Sequence, residues 1–194
     1  MNRVPTIRSM TTRFSLEQLN ACAPEFLCAA LADIWEHAPW VARGVVHRRP
    51  FAPVEALHTA MVAVVAGQDE PVRVAFYAGH PELAGEDARR GTMTDASVAE
   101  QGTLSLARLD AREAERWNAL NRAYRARFGF PFILCIRRHT RESALEAFER
   151  RLQHHRATEL ATALEEIADI TRMRLDRLVS QAAHATNHGE SIPS

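Results

Sequence analysis

Two sets of polar residues have types and spacing that could do chemistry. His80 is followed by Pro81, which interrupts a helix, so its ring is predicted to lie at a break in the backbone. Ser97, Glu100 and Gln101 stand at i, i+3 and i+4, and on a helix these positions share one face. An imidazole, a carboxylate, a hydroxyl and an amide would together serve proton transfer and the orientation of a polar substrate. The two sets therefore predict an active site.

The absence of lysine narrows the chemistry. All 24 basic residues are arginines. The chain therefore cannot form a lysine aldimine with pyridoxal phosphate or a lysine Schiff base with a keto acid, and it has no Walker-type lysine for a nucleotide phosphate. Codon bias accounts for the absence, but the exclusion holds whatever its cause.

No spacing in the sequence indicates a metal site. The three cysteines, Cys22, Cys28 and Cys135, are scattered without a C-x-x-C pair. His154 and His155, with Glu159, could imitate a metal site, but further ligands are not evident and a solvated helix face is the better interpretation. We predict no metal and no cofactor.

The charge balance argues against nucleic acid as a partner. Basic and acidic residues number 24 each, so the chain lacks the basic field that nucleic-acid binding needs. No apolar run reaches the length of a membrane span, and the odd cysteine count with no signal peptide favours the cytoplasm. The expected partner is a small-molecule substrate.

The periodicity predicts an all-α fold, a single-domain bundle of about eight helices. Residues 14–183 would form the domain, with flexible tails at 1–13 and 184–194. The segments expected to be helical share apolar residues at helical spacing or a capping signal. They begin at Ser15, Pro24, Pro53, Thr94, Asp110, Ser143 and Ala157, and the last extends to about Ala183.

Three boundaries required a choice. The helix from Pro24 is expected to end near His37-Ala38-Pro39-Trp40. Residues 71–79 alternate enough for a strand, but without a partner strand a helix is the better prediction. The apolar run from Phe130 to Ile136 contains Pro131, which favours a buried extended connection over a sheet strand.

At this point the residues resemble a known family, the OHCU decarboxylases, where OHCU is 2-oxo-4-hydroxy-4-carboxy-5-ureidoimidazoline. Six motifs occur in that family's order and approximate spacing over roughly residues 15–180. They are Glu36-His37-Ala38-Pro39-Trp40-Val41-Ala42, Arg49-Pro50-Phe51, His80-Pro81-Glu82-Leu83-Ala84-Gly85, Ser97-x-x-Glu100-Gln101, Asn121-x-x-Tyr124 and Phe128-Gly129-Phe130-Pro131-Phe132-Ile133. Each motif alone is weak, but six in order make coincidence improbable.

The resemblance implies an all-helical, cofactor-independent enzyme that converts OHCU to (S)-allantoin in urate breakdown, and it suggests a homodimer. It also implies which residues form the site. The catalytic positions would be His80 and Glu100, and the substrate-binding positions would be Pro81, Ser97, Gln101, Phe132, Ile133 and Arg174. The arginine of the family's C-terminal Arg-Leu pair falls on Arg174, which is followed by Leu175. Arg151-Leu152 also fits a family Arg-Leu motif, but Arg151 is expected to be a structural ion-pair partner.

The chemistry agrees with this assignment. The leaving carboxylate would be attached to a carbon beside a ring C=N, so the electron pair can delocalise without pyridoxal or thiamine. With its usual pKa of about 6.5, His80 would act as general acid/base on the 4-hydroxyl. Glu100 would orient that hydroxyl, and Arg174 would hold an anionic group.

Other functions remain open from the sequence. A helical ligand-binding or regulatory module could keep the fold without catalysis, and an all-α interaction protein would neither bind nor turn over the substrate. A decarboxylase of a related ureido or imidazoline acid is the nearest alternative.

Overall fold

The helices account for nearly all regular structure in the described residues. The computed structural model describes residues 13–85 and 109–180, and in these ranges it contains eight α-helices. They are α1 (Leu16–Ala21), α2 (Pro24–Ala30), α3 (Pro39–Val45), α4 (Val54–Ala66), α5 (Glu70–Ala78), α6 (Ala111–Phe128), α7 (Arg141–Arg151) and α8 (Arg156–Leu178). Two short 3-10 helices, Val46–Arg48 and Ile136–Arg138, and two short strands, β1 (Phe14–Ser15) and β2 (Val179–Ser180), complete the set. The all-α prediction is confirmed.

Local signals place several helix ends where the sequence predicted them. Ser15 and Gln18 form a complete capping box at the start of α1. Asp110 and Glu113 do the same for α6, whose 18 residues then end at Gly129 in the left-handed conformation, with φ of 81°. Two capping boxes and one glycine therefore determine where these helices begin or end.

The core forms where α4 packs between α3 and α8. The approach of α3 to α4 is so close that a Cβ on Gly44 would lie 2.8 Å from the Val64 side chain. A second group of buried rings, around Tyr124, Phe132 and Phe148, joins α6 to α7 and to the chain before it. These aromatic rings carry much of the buried apolar area of this half of the domain.

The predicted end of the second helix was wrong. The helix α2 stops at Ala30, and Pro39 begins α3 instead of ending α2. Proline is well suited to the first turn of a helix, because its missing N–H would be unpaired there anyway. Between these helices Ile34 and Trp35 are buried from turns rather than from a helix, so their apolar spacing imitated a helical face.

The predicted end of the last helix was also wrong. The helix α8 ends at Leu178 rather than near Ala183, and Val179–Ser180 is extended. This pair of residues runs parallel to Phe14–Ser15, with Phe14 opposite Val179. Two-residue strands show no alternation of polar and apolar residues, so nothing in the sequence pattern distinguished them from their helices.

Both ambiguous segments have the predicted structure. Residues 70–78 form α5, and residues 131–135 are an extended, buried connection. The helix predicted from Thr94 to Leu109 lies outside the described residues, except for Leu109 itself. Among the described helices, none has the length and apolar character needed to cross a membrane.

Candidate active site

A cleft opens between the end of α5, the connection before α7 and the C-terminal half of α8. Its lining is mostly apolar with a few charged groups, as is usual for sites that bind small polar molecules. The lining residues are Glu36, His80, Pro81, Leu83, Phe132, Ile133, Leu134, Ile136, Arg137, Ile170, Met173 and Arg174. Five of them, His80, Pro81, Phe132, Ile133 and Arg174, were predicted site residues.

The end of α5 positions His80. The helix stops at Gly79, and the His80 N–H donates to the carbonyl of Tyr77. The imidazole lies edge-on to the Phe76 ring, with 5.0 Å between centroids, and its Nδ1 is 3.3 Å from the Phe76 carbonyl oxygen. Because that oxygen can only accept, Nδ1 carries the proton and Nε2 has the free lone pair of the neutral ring.

Burial lowers the pKa of His80 to about 4, because the cleft wall removes the water that would solvate a charged imidazole. The negative charge of Glu36 and the backbone carbonyls of Phe76 and Tyr77 oppose this shift, and the positive charge of Arg174 adds to it. The histidine is therefore neutral at physiological pH. The sequence had suggested the usual pKa near about 6.5.

A polar anchor fixes the segment after His80. The side chain of Asn121 on α6 donates to the Leu83 carbonyl at 2.9 Å. Arg125, one helical turn further on, pairs with Glu82 at 2.9 Å. Both contacts hold the loop that carries Pro81 and Leu83 at the cleft, which gives Asn121 of the Asn121-x-x-Tyr124 motif a structural role.

The opposite wall rests on a buried ion pair. Arg151 is 2% exposed, and its Nε donates to the Glu159 carboxylate at 2.9 Å. Its Nη1 donates to the Ile133 carbonyl at 2.8 Å, and its guanidinium lies 4.6 Å from the Phe132 ring centroid. Tyr124 also donates to Glu159, and burial raises the pKa of the tyrosine hydroxyl. Arg151 thus holds the Phe132–Ile133 wall from behind.

This network bears on two sequence interpretations. Arg151 is the structural ion-pair partner that was expected, and it is buried. Glu159 is fully buried and lies 2.8 Å from His154 Nδ1, so the predicted solvated helix face was wrong at this residue. Within residues 13–85 and 109–180, no three His, Cys, Asp or Glu side chains form a group that could hold a metal ion.

Of the two arginines considered from the sequence, Arg174 is the one that lines the cleft. It lies on α8, and its Nη2 is 3.4 Å from Oε2 of Glu36, with the two side chains 9% and 5% exposed. Ile170, one turn earlier on α8, lines the cleft on the same helix face. Arg174 therefore has the position needed to meet a ligand, whereas Arg151 lies behind the wall.

The remaining predicted site residues lie outside the described part of the chain. These are Ser97, Glu100 and Gln101. Conversely, the structure adds Glu36 and Arg137 to the cleft, which the sequence had not assigned to it. Glu36 belongs to a quoted motif, but its partner Arg174 is 138 residues away, so no local spacing could connect them.

The fold and the cleft together define an all-helical protein with a small, largely apolar site that holds an imidazole, a carboxylate and guanidinium groups. Over residues 20–176 the chain matches the OHCU decarboxylase family. It is 37% identical over 161 residues to 2-oxo-4-hydroxy-4-carboxy-5-ureidoimidazoline decarboxylase of Haloferax volcanii, covering 83% of this chain and 94% of that protein. The enzyme of the same name from Amia calva is 36% identical, covering 88% of this chain and 98% of its own.

A solved structure agrees with these relatives. The crystal structure of an (S)-allantoin synthase superposes with a TM-score of 0.68 at 28% identity, over 86% of this chain. This chain spans 54% of that protein's length. The chain therefore belongs to the OHCU decarboxylase family, a family of carboxy-lyases.

Proposed function

We propose that this protein decarboxylates OHCU to (S)-allantoin in urate degradation, without a cofactor, and that His80 transfers protons in the reaction. The family membership supports the reaction, and relatives named for this activity match along most of their length. The observation that carries the proposal is the cleft itself, where His80 and Arg174 face the Phe132–Ile133 wall. A neutral base and a fixed cation beside an apolar surface suit an anionic substrate that must lose carbon dioxide.

The proposed reaction needs little covalent chemistry from the protein. The bond from C4 to the carboxylate breaks, carbon dioxide leaves, and the electron pair forms a C4=C5 double bond as the ring C5=N electrons move to nitrogen, which takes a proton. The 4-hydroxyl then loses its proton, C4 becomes a carbonyl, and C5 is protonated while the ring nitrogen keeps its proton. The net change is loss of carbon dioxide and uptake of one proton. Protonation of C5 from one face sets the (S) configuration.

The geometry suggests a role for each described group. His80 Nε2 accepts the 4-hydroxyl proton, since Nδ1–H is directed to the Phe76 carbonyl. Arg174 orients an anionic group through its planar fork. Phe132 and Ile133 exclude water from the ring, and Pro81 shapes the cleft beside the imidazole. Glu100, Gln101 and Ser97, outside the described residues, keep their predicted roles in orienting the hydroxyl and the ureido edge.

The decisive measurement is the rate of (S)-allantoin formation. The substrate is generated from urate by the upstream enzymes, and the reaction is followed by optical activity against the slow racemic background. We expect rapid formation of the (S) product by the wild type. Absence of acceleration would show that the chain is a binding module or acts on another acid.

The same measurement tests His80. H80N removes the proton-transferring imidazole while keeping a side chain of similar polarity, and we expect a loss of about a hundredfold or more in kcat. H47N is the matched control, because His47 is exposed on the 3-10 helix after α3 and does not line the cleft. Near-normal turnover by H80N would eliminate His80 as a proton-transferring residue.

A further inference from the structure

Glu36 is a buried carboxylate at the cleft to which the proposed reaction assigns no role. It lies in the turns between α2 and α3, and its side chain is 5% exposed. Both Glu36 and its partner Arg174 line the cleft. Burying a carboxylate is costly, so such a residue is kept only where its charge is matched or used.

We propose that Glu36 is a positioning residue of the active site: its carboxylate holds the Arg174 guanidinium in place beside His80 and so fixes where that cation meets the anionic substrate. The inference rests on the proposed function, because it names how one of that site's groups is oriented. It joins three parts of the fold that are distant in sequence, the turns before α3, the end of α5 and the C-terminal half of α8.

The first argument is the freedom of the arginine side chain. A long side chain on a helix loses rotamer entropy when it is fixed in one place. If Glu36 already restrains Arg174 before the substrate arrives, less of this entropy is lost on binding. The contact of 3.4 Å between Arg174 Nη2 and Glu36 Oε2 joins α8 to the turns before α3.

The second argument is charge compensation. The cleft around Arg174 is lined by Ile170, Met173 and other apolar side chains. A guanidinium in such surroundings needs a nearby anion, and Glu36 supplies it from the turns before α3. The pair compensates the charge of Arg174 and restrains its side chain without a bound ligand.

The third argument is the field at His80. Two charged groups act on the imidazole, Glu36 from the turns before α3 and Arg174 from α8. Arg137 from the 3-10 helix also lines the cleft. The Glu36 charge raises the pKa of His80, and the Arg174 charge lowers it. Glu36 thus limits how far the neighbouring cation weakens the base.

The experiment is a double-mutant cycle on kcat/KM. E36Q keeps the shape of the side chain and removes its charge, and we expect a loss of about a hundredfold, as for a misplaced catalytic or binding group. In an R174Q background, E36Q should cause no further loss, because its effect acts through Arg174. E70Q is the matched control. Glu70 forms an exposed ion pair of 2.6 Å with Arg156 and does not line the cleft, so E70Q should leave kcat/KM unchanged.

Two results would overturn the inference. One is full activity of E36Q. The other is that E36Q lowers kcat/KM equally in the wild-type and R174Q backgrounds, which would show that Glu36 acts independently of Arg174. Far-ultraviolet circular dichroism and thermal melting verify folding. If E36Q does not fold, E36D replaces it in the cycle, since its shorter side chain keeps the charge and should give a smaller loss that again disappears in R174Q.

A readout without turnover separates this inference from the proposed function. The guanidinium NMR signals of Arg174, assigned by their loss in R174Q, should shift in E36Q and stay unchanged in E70Q. If the wild type does not decarboxylate OHCU but these signals respond to E36Q, the proposed function fails and the positioning contact stands. If the signals do not respond, the positioning contact is refuted even when the wild type is active.

Discussion

At the scale of single residues, His80 shows how the surroundings set the chemistry. Its position at a Pro-marked break was readable from the sequence, because Gly79 and Pro81 prevent α5 from continuing. Its protonation state was not, since the pKa depends on burial and on Glu36 and Arg174, which are remote in sequence. These surroundings keep the imidazole neutral throughout the physiological range.

The first prediction concerns the acid side of the pH profile. Because burial lowers the pKa of His80 to about 4, the neutral base persists well below the usual histidine pKa of about 6.5. As pH falls, kcat/KM should therefore stay level through pH 6 and decline only as pH approaches 4. The profile is measured with substrate prepared freshly at each pH, and the spontaneous rate is subtracted.

A midpoint near pH 6.5 would contradict this prediction, because His80 would then titrate as if it were exposed. H80N serves as the reference, since its residual rate should lack the decline near pH 4. Wild-type protein incubated at each pH and returned to pH 7 provides the control for acid unfolding.

At the scale of secondary structure, helix ends set by nearby residues could be predicted from the sequence, whereas features set by contacts between distant segments could not. The capping boxes at Ser15 and Asp110 and the glycine at 129 lie within a few residues of the helix ends that they determine, so the sequence revealed them. The turns after α2 and the pairing of β1 with β2 depend on packing between distant segments. No local pattern encodes such contacts, and both were missed.

The same division holds for the cleft. His80, Phe132 and Ile133 could be predicted because each lies within a compact motif. The choice between Arg174 and Arg151 could not be made, because both precede a leucine and differ only in what they face. Arg151 faces Glu159 behind the wall, and only the packing of α7 on α8 shows this.

The second prediction tests the network behind the wall. E159Q leaves Arg151 buried with its principal counter-charge removed, so we expect the free energy of unfolding to fall by about 3 kcal/mol. Urea unfolding followed by circular dichroism measures the change. E70Q again provides the control, because its exposed ion pair should contribute no more than about 1 kcal/mol. Equal, small losses in both variants would show that the buried pair is not important for stability.

At the scale of the whole molecule, the charge is balanced, whereas the described lining of the cleft carries more positive than negative groups. Acidic and basic residues number 24 each in the chain. Among the described residues that line the cleft, two guanidiniums, Arg137 and Arg174, face one carboxylate, Glu36, while His80 is neutral. Arg174 is paired with Glu36, so the exposed Arg137 is the cation of this lining that would attract an anionic substrate from solution.

The third prediction follows from this local charge. R137Q should lower kcat/KM about fivefold, mainly through KM, because one exposed charge at close range contributes about 1 kcal/mol in water. The loss should shrink as salt rises from 10 mM to 0.5 M, since screening removes the same attraction from the wild type. R112Q, at an exposed arginine that does not line the cleft, is the control. A salt-independent loss would instead indicate a direct contact with the substrate.

The short parallel pairing of Phe14–Ser15 with Val179–Ser180 ties the beginning of the described domain to the end of α8. Arg13 adds a hydrogen bond to the Asp176 carbonyl at 3.1 Å. Arg174 lies less than two turns before this attachment. Cleavage just after Ser15 would separate this strand from the domain and leave core packing to hold the end of α8, so we expect it to loosen the helix turn that carries Arg174.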